Sequence, residues 1–241
     1  MSAAPRRIAA IAGGGFLMDD ESLAQERWLL ALARCPRPQV LFVGTAGGDG
    51  ERGQLKFFRT FSRLDCRPSV LPFFPYDMRR DYRAAVLDAD LVYVGGGNTP
   101  AMLAVWREFG FDAALREAYD AGTVLAGISA GANCWFERYI TDSVPGGGVR
   151  SGLGWLPGCY CPHLDSEPWR QALLAAQPAP ALGAGDGVIV LYEDGRRSDA
   201  VHSAVKAPML RERADGDAVL REVAPRAIAQ APAAPLPTLA A

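Results

Sequence analysis

Short apolar runs alternate with longer segments of mixed polarity along most of this chain. The apolar runs predict β-strands over residues 8–12, 39–43, 68–74, 91–94 and 187–192, and a further run ends at Ser129. The intervening segments predict helices over residues 20–33, 51–64, 83–89, 100–106, 111–121 and 167–176. Continuously apolar strands separated by helices are typical of a parallel sheet covered on both faces. We therefore expect an α/β fold whose glycine-rich turns gather at one edge of the sheet.

The chain of 241 residues is long enough for one α/β domain, which we place at residues 1–205. Residues 209–213 and 218–223, separated by a turn at 214–217, predict a β-hairpin within an extension that spans 206–228. The last segment, 229–241, is rich in alanine and proline and predicts a disordered tail.

The composition excludes several classes of function. A formal net charge of −2 gives no electrostatic footprint for nucleic acid or for an anionic membrane surface. No apolar stretch reaches transmembrane length. The five cysteines are scattered without C-x-x-C pairs or metal-ligand spacing, so we predict no metal site and no cofactor, and we expect free thiols in a reducing cytoplasm.

The motif that carries chemistry is G-x-S-x-G, formed by Gly127, Ser129 and Gly131. An apolar run ends at the serine, and the four residues that follow Ser129 are all small. This pattern predicts a sharp turn from a strand into a helix, which exposes a nucleophile at the top of a sheet. Because the chain contains 26 glycines, the motif alone is a weak signal of a nucleophile, and the residues around it must decide whether Ser129 has that role.

A serine nucleophile needs a base, and the chain contains only two histidines. His163 is the first choice, because it follows a proline that fixes the backbone of a predicted loop. His202, in a predicted strand, is the second. The carboxylate that would orient the base stays open at this point. Asp186 lies in a loop just before a strand, and its competitors are Asp142, Asp165, Glu167 and Glu137.

The negative charge of a tetrahedral intermediate needs backbone donors. The N–H of Ala130, directly after the serine, is the natural first donor, and the N–H of Gly97 is a good second because glycine allows close approach of a substrate. The triple glycine at 95–97 has neither the G-x-G-x-x-G spacing nor the lysine of a phosphate-binding loop, so we predict no dinucleotide cofactor.

Three motifs occur in a fixed order: residues 94–99 (VGGGNT), 127–133 (GISAGAN) and 161–163 (CPH). Together they resemble the peptidase E (aspartyl dipeptidase) family, which also includes the cyanophycinases. The likeness runs from the first strand to about residue 192. It implies a flavodoxin-like, mainly parallel sheet similar to that of class I glutamine amidotransferases. It also implies a serine peptidase with a Ser-His-Glu triad that cleaves dipeptides beginning with aspartate.

By this resemblance Ser129 is the nucleophile and His163 the base, with Gly97 and Ala130 as the oxyanion hole. The family's glutamate falls at Asp186, which is shorter by one methylene, about 1.5 Å. Either the loop moves inward or the hydrogen bond to the histidine lengthens. The family's other candidate for the third position is best matched by Asp142.

The sequence thus predicts a cytoplasmic serine peptidase that acts on small peptides through an acyl-enzyme. Asn98 and Arg170 are the candidate substrate-binding residues, although a solvated helix position is an equal interpretation of the arginine. The C-terminal hairpin offers an edge strand for a homodimer or a cap for the sheet. Two alternatives stay open: an esterase that uses Ser129, Asp186 and His202, and a binding protein on the same scaffold without catalysis.

Overall fold

The computed structural model describes residues 5–204, 207–217 and 219–229. The predicted disordered tail at 229–241 therefore lies outside the described residues, apart from Ala229. The helices are α1 (Ala24–Leu30), α2 (Glu51–Phe61), α3 (Tyr82–Leu87), α4 (Thr99–Glu108), α5 (Phe111–Ala121), α6 (Ala130–Asn133) and α7 (Pro168–Ala175). The strands are β1 (Arg7–Ile11), β2 (Gln39–Val43), β3 (Arg67–Val70), β4 (Leu91–Val94), β5 (Val124–Ile128), β6 (Phe136–Thr141), β7 (Gly148–Ser151), β8 (Leu156–Cys161), β9 (Ala181–Ala184), β10 (Val188–Glu193), β11 (Arg196–His202), β12 (Leu210–Arg213), β13 (Arg221–Glu222) and β14 (Arg226–Ala227).

An eight-stranded sheet with the order β14-β11-β10-β1-β5-β4-β2-β3 forms the framework. Its strands β1, β5, β4, β2 and β3 all run parallel, whereas β10 is antiparallel to β1 and β11 is antiparallel to β10. Every residue of β4 and β5 is buried, as a sheet covered on both faces requires. The mixed α/β class with a mainly parallel sheet is confirmed, and β2 and β4 begin and end where the apolar runs predicted.

Each face of the large sheet carries its own core. On one face, α2 contributes Phe57 and Phe61, which pack with Phe16, Phe42 and Tyr93. On the other face, α3, α4 and α5 cover the sheet beside residues of a second sheet. The G-x-S-x-G motif lies at the end of β5, between these two layers.

The second sheet, with the order β13-β12-β9-β8-β6-β7, was not predicted. The sequence pattern assigned residues 146–148 and 152–154 to loops, whereas β7 begins at Gly148 and lies in this sheet. Strand β8 was missed because it contains Pro157 and Gly158, residue types that are rare inside strands. The pairing of β6 with β8 also contains a register shift, between Phe136 and Arg138.

The C-terminal hairpin is present, since β12 pairs antiparallel with β13. It is also part of the second sheet, because β12 pairs antiparallel with β9. Residues 205, 206 and 218 lie outside the described residues, and the limits of the domain and of the extension stay predictions. No helix in the described part of the chain has the length and apolar character needed to cross a membrane.

Candidate active site

Ser129 occupies a strained turn between β5 and α6. Its φ of 54° and ψ of −109° are unusual for a residue with a side chain. The Ser129 N–H donates to the Ile11 carbonyl (2.9 Å), and the Ser129 carbonyl accepts from the N–H groups of Ala132 and Asn133. The strained backbone is therefore held from both sides, and the side chain is half-buried at the carboxyl edge of the parallel strands.

The two glycines of G-x-S-x-G are required by space. A Cβ at Gly127 would lie 2.1 Å from the Gly131 carbonyl oxygen, and a Cβ at Gly131 would lie 2.4 Å from the Val94 carbonyl oxygen. Both distances are far below van der Waals contact. The glycines thus allow α6 to pack directly on β4 and β5, which fixes where Ser129 points.

His163 links the serine to a carboxylate. It follows β8, with a φ of 56°. Its Nε2 lies 2.9 Å from Ser129 Oγ, and its Nδ1 lies 2.5 Å from Asp186 Oδ1. Both ring nitrogens are therefore occupied. In the tautomer that suits this arrangement, Nδ1–H donates to the carboxylate and Nε2 accepts from the serine hydroxyl.

The shorter side chain of Asp186 reaches the histidine because its loop lies close to the loop after β1. A Cβ at Gly13 would lie only 2.0 Å from Asp186 Oδ1, so the carboxylate rests on the Gly13 backbone. The Gly187 N–H donates to the Gly13 carbonyl (3.0 Å), and the Asp186 N–H donates to Asp165 Oδ1 (3.2 Å). Of the two possibilities left by the sequence, a lengthened hydrogen bond is not what the structure has, since Asp186 Oδ1 lies 2.5 Å from His163 Nδ1.

Gln25 is a residue near the site that sequence reasoning missed. It is 1% exposed, and its Nε2 lies within hydrogen-bond distance of the Gly13 carbonyl (3.1 Å), the Gly187 carbonyl (3.3 Å) and Ser203 Oγ (3.1 Å). The side chain therefore ties together the two loops that meet at Asp186. A glutamine inside an amphipathic helix carries no sequence signal for such a role.

The backbone on the other side of the serine comes from the glycine turn after β4. A Cβ at Gly96 would lie 3.4 Å from the Cβ of Ser129, so this turn is adjacent to the serine. Gly97 has a φ of +138°, and a Cβ there would lie 2.1 Å from the Ala46 carbonyl oxygen. Only glycine fits this position. Ala130 is the first residue of α6, so its N–H has no partner within the helix.

Asn98, a predicted substrate-binding residue, instead anchors the glycine turn. Its Oδ1 accepts from the Ala101 N–H (2.9 Å) and caps α4. Its Nδ2 donates to the Ser143 carbonyl (2.7 Å), and its own N–H donates to the Ala46 carbonyl (2.7 Å). Both polar ends of the side chain are engaged within the protein.

Arg170, the other predicted substrate-binding residue, is neither a solvated helix residue nor free for a substrate. Its side chain is 4% exposed, and it forms ion pairs with Asp142 (2.9 Å) and with Glu167. Asp142 and Glu167, two competitors for the orienting role, are thus committed to this arginine. Glu137, another competitor, accepts a hydrogen bond from the Gly158 N–H (2.9 Å).

The second histidine and the thiol of Cys161 do not compete with His163 and Ser129. His202 is buried at the end of β11, and its Nδ1 lies 3.0 Å from the Ala204 carbonyl oxygen. Asp186 therefore pairs with His163 and not with His202, contrary to the esterase alternative. Burial raises the pKa of the Cys161 thiol to about 12, which keeps that thiol protonated and a poor nucleophile.

A serine at a strained strand-to-helix turn, bonded to a histidine that is bonded to a carboxylate, is the arrangement of serine-type hydrolases. Here it lies at the carboxyl edge of a mainly parallel sheet. The comparison with protein families agrees with this class: the model for peptidase family S51 matches residues 8–199. The chain belongs to peptidase family S51, a family of serine-type peptidases.

Individual relatives agree with this membership. The uncharacterised peptidase YgaJ of Bacillus subtilis is 42% identical over 162 residues, which cover 67% of this chain and 70% of that protein. A peptidase from an acI-B1 actinobacterium has a similar structure, with a TM-score of 0.72 at 18% identity over 93% of this chain and 95% of the other. A peptidase E protein from Listeria monocytogenes has a TM-score of 0.61 at 13% identity over 83% and 100%. These two likenesses concern the fold.

Proposed function

We propose that this protein is a serine peptidase that hydrolyses small peptides through an acyl-enzyme, with Ser129 as nucleophile, His163 as base and Asp186 as orienting acid. The observation that carries the proposal is the position of the His163 ring, which bridges Ser129 Oγ at 2.9 Å and Asp186 Oδ1 at 2.5 Å. Membership of a family of serine-type peptidases supports the same chemistry.

In the first half of the reaction, His163 Nε2 takes the proton of the Ser129 hydroxyl as the oxygen attacks the peptide carbonyl carbon. Asp186 accepts the hydrogen bond from Nδ1–H and stabilises the imidazolium that forms. The imidazolium then gives its proton to the leaving amine, and the C–N bond breaks. The strained backbone of Ser129 helps by holding the hydroxyl at the edge of the sheet.

The negative charge on the carbonyl oxygen is held by backbone N–H groups, for which we propose Ala130 and Gly97. The positive end of the α6 backbone contributes to the Ala130 donor, and the glycine at 97 leaves room for the substrate. In the second half, water attacks the acyl carbon while His163 takes a proton from that water; the bond between the acyl carbon and Ser129 Oγ then breaks, and His163 returns the proton to the serine. Every proton transfer uses a group of the protein or water.

We further propose that the substrates include dipeptides of the type Asp-X. The support for this specificity is the resemblance of three ordered motifs to the peptidase E family. The replacement of the family's glutamate by Asp186 does not weaken the proposal, because the aspartate lies within hydrogen-bond distance of His163.

The experiment is hydrolysis of a dipeptide panel led by Asp-X, followed by release of the free N-terminal residue. We expect Ser129→Ala and His163→Ala each to lower kcat by several orders of magnitude, about 10⁴ or more, whereas His202→Ala retains turnover. A serine-reactive phosphonate gives a second readout. Failure to label Ser129 in the folded protein would favour a binding protein without catalysis, and loss of ester hydrolysis only in His202→Ala would favour the esterase.

We also propose a cytoplasmic location and a homodimer. All five cysteines are unpaired and four of them are buried, as expected of a protein kept in a reducing compartment. The short strand β13 lies at the edge of the second sheet, where a second copy could add. Light scattering of the purified protein measures the assembly, and fractionation of cells that express it measures the location.

A further inference from the structure

A cavity of about 460 Å³ lies at the glycine turn after β4, which is adjacent to Ser129. It is close to Ser129 because Gly96, which lines it, would carry a Cβ only 3.4 Å from the Cβ of the serine. Its volume is that of a site for a small organic ligand. The cavity is formed by the turns after β1, β2 and β4 and by the first turns of α2, and its lining includes Phe42, Gly44, Gly47, Gly50, Gly95 and Gly96.

The glycines keep this cavity open. A Cβ at Gly44 would lie 3.1 Å from the Phe42 ring, and a Cβ at Gly95 would lie 3.2 Å from the same ring. The aromatic ring and the bare backbone thus make a wall that a side chain would obstruct.

The charged side chains that line the cavity are mainly positive. Lys56 lines the cavity with its side chain 22% exposed, and its Nζ donates to the Leu17 carbonyl (3.1 Å) and to Asp19 (2.7 Å). These contacts use two of the three ammonium donors and fix the amine in place. Arg52, exposed on the first turn of α2, is the second cation of the lining.

Two further observations indicate a positive potential in this cavity. The N-terminus of α2 begins after Gly50, which provides no side-chain cap, so the helix end adds partial positive charge at the lining, and the exposed Glu51 carboxylate in the same turn offsets part of it. The Lys56 ammonium, with Arg52 and Arg59 nearby, holds the pKa of the Asp19 carboxyl below its usual range. Asp19 is 74% exposed and leaves the two cations of the lining in excess over it.

Arg170 is a poorer candidate than Lys56 for contact with an acidic substrate, because its side chain is 4% exposed and paired with two carboxylates, whereas Lys56 is 22% exposed and paired with one. We propose that the cavity beside Gly96 is the subsite that binds a carboxylate of the substrate, with Lys56 and Arg52 as the residues that determine this specificity. The inference rests on the proposed peptidase function, since the ligand is the peptide that Ser129 attacks.

The carboxylate has two possible sources in a dipeptide: the side chain of its first residue and its terminal α-carboxylate. Three ligands distinguish them. Asp-Leu carries both groups, Asn-Leu lacks the side-chain charge at nearly the same shape, and Asp-Leu amide lacks the terminal charge. Binding to Ser129→Ala, measured by calorimetry, reads the subsite without turnover.

We expect Lys56→Met and Arg52→Met, each combined with Ser129→Ala, to weaken Asp-Leu binding on the order of 10- to 100-fold, the effect of one hydrogen bond to a charged group. The same substitutions should leave unchanged the binding of whichever ligand lacks the recognised carboxylate. Arg59→Met is the matched control, because it removes the same charge from α2 at a residue outside the cavity lining. In the described part of the chain the Arg52 side chain forms no hydrogen bond or ion pair with residues 16–19, unlike Lys56, so its variant also guards against a folding effect at Lys56.

Equal affinity of Ser129→Ala for all three ligands, no measurable binding of any, or an equal loss in Arg59→Met would each overturn the subsite. A different set of results would contradict the proposed peptidase function without contradicting the subsite. Lys56-dependent binding of Asp-Leu without hydrolysis by the unmodified protein would retain the subsite and remove the peptidase. If Lys56→Met and Arg52→Met both hydrolyse Asp-Leu at the rate of the unmodified protein, the peptidase function is retained and the subsite is removed.

Discussion

Gly13→Ala tests whether the close approach of the Asp186 side chain to the Gly13 backbone is what makes aspartate effective beside His163. A methyl carbon at this position would lie 2.0 Å from Asp186 Oδ1 and 2.8 Å from its Cγ. Gly13 lacks the left-handed backbone conformation that would itself penalise alanine, so the substitution acts through space alone. The carboxylate must therefore move away from the Gly13 backbone.

The size of the effect follows from these distances. Non-bonded heavy atoms attract best near 3.5 Å, so the carboxylate must shift by about 1 Å or more. The present bond of 2.5 Å to His163 Nδ1 would then approach the limit of a hydrogen bond. Loss of the orienting carboxylate in a serine triad costs up to about 10⁴ in kcat, or about 5.5 kcal/mol. We expect Gly13→Ala to lower kcat by about 10² to 10⁴ with little change in KM.

The assay is steady-state hydrolysis of the best dipeptide by four proteins that form a double-mutant cycle: unmodified, Gly13→Ala, Asp186→Asn and the double variant. If alanine acts only by displacing the carboxylate, the double variant is no slower than Asp186→Asn. Thermal unfolding of each variant controls for a general loss of structure. The reasoning is refuted if Gly13→Ala keeps activity within a few-fold of the unmodified protein while Asp186→Asn loses it, or if the two losses simply add.

Three further outcomes are expected. Asp186→Glu should lower kcat by up to about 10²-fold, measured on the same dipeptide, because the longer side chain has no room above Gly13. His163→Ala should abolish hydrolysis and His202→Ala should retain it, although the melting temperature of the second variant falls because a buried side chain is removed. Burial raises the pKa of the Glu26 carboxyl above its unfolded value, so the free energy of unfolding falls as the pH rises above that unfolded value. Glu26→Gln should remove this slope in melting curves and raise the melting temperature near neutral pH by about 2–4 °C per kcal/mol gained.

The parallel sheet could be predicted because its central strands are buried on both faces and therefore appear as continuous apolar runs. Strands β2 and β4 occupy residues 39–43 and 91–94, as predicted, for this reason. The second sheet gave no such signal. Its strand β8 includes Pro157 and Gly158, and the φ of +83° at Gly158 departs from regular strand geometry.

The site residues differ in how far sequence reasoning could reach. Ser129 carries a local motif, because the glycines two residues before and after it are both required by packing: Gly127 against Gly131, and Gly131 against the end of the neighbouring strand β4. The partner of His163 has no local motif, since the approach of Asp186 depends on the Gly13 backbone from a distant part of the chain. The sequence allowed Arg170 equally to be a solvated helix residue or a substrate-binding residue. Its burial between two acidic side chains follows only from tertiary packing.

The two sheets explain why these residues meet. Ser129 ends a strand of the large sheet, His163 follows β8 of the second sheet, and Asp186 lies in the segment that leaves β9 in one sheet for β10 in the other. The sheets are held together by aromatic contacts, with Phe136 stacked on Tyr160 at 4.6 Å within the second sheet and set edge-on to Tyr192 of the large sheet at 5.6 Å. Because no single sheet contains all three groups, the hydrogen-bonded chain from serine to carboxylate exists only when the layers are packed.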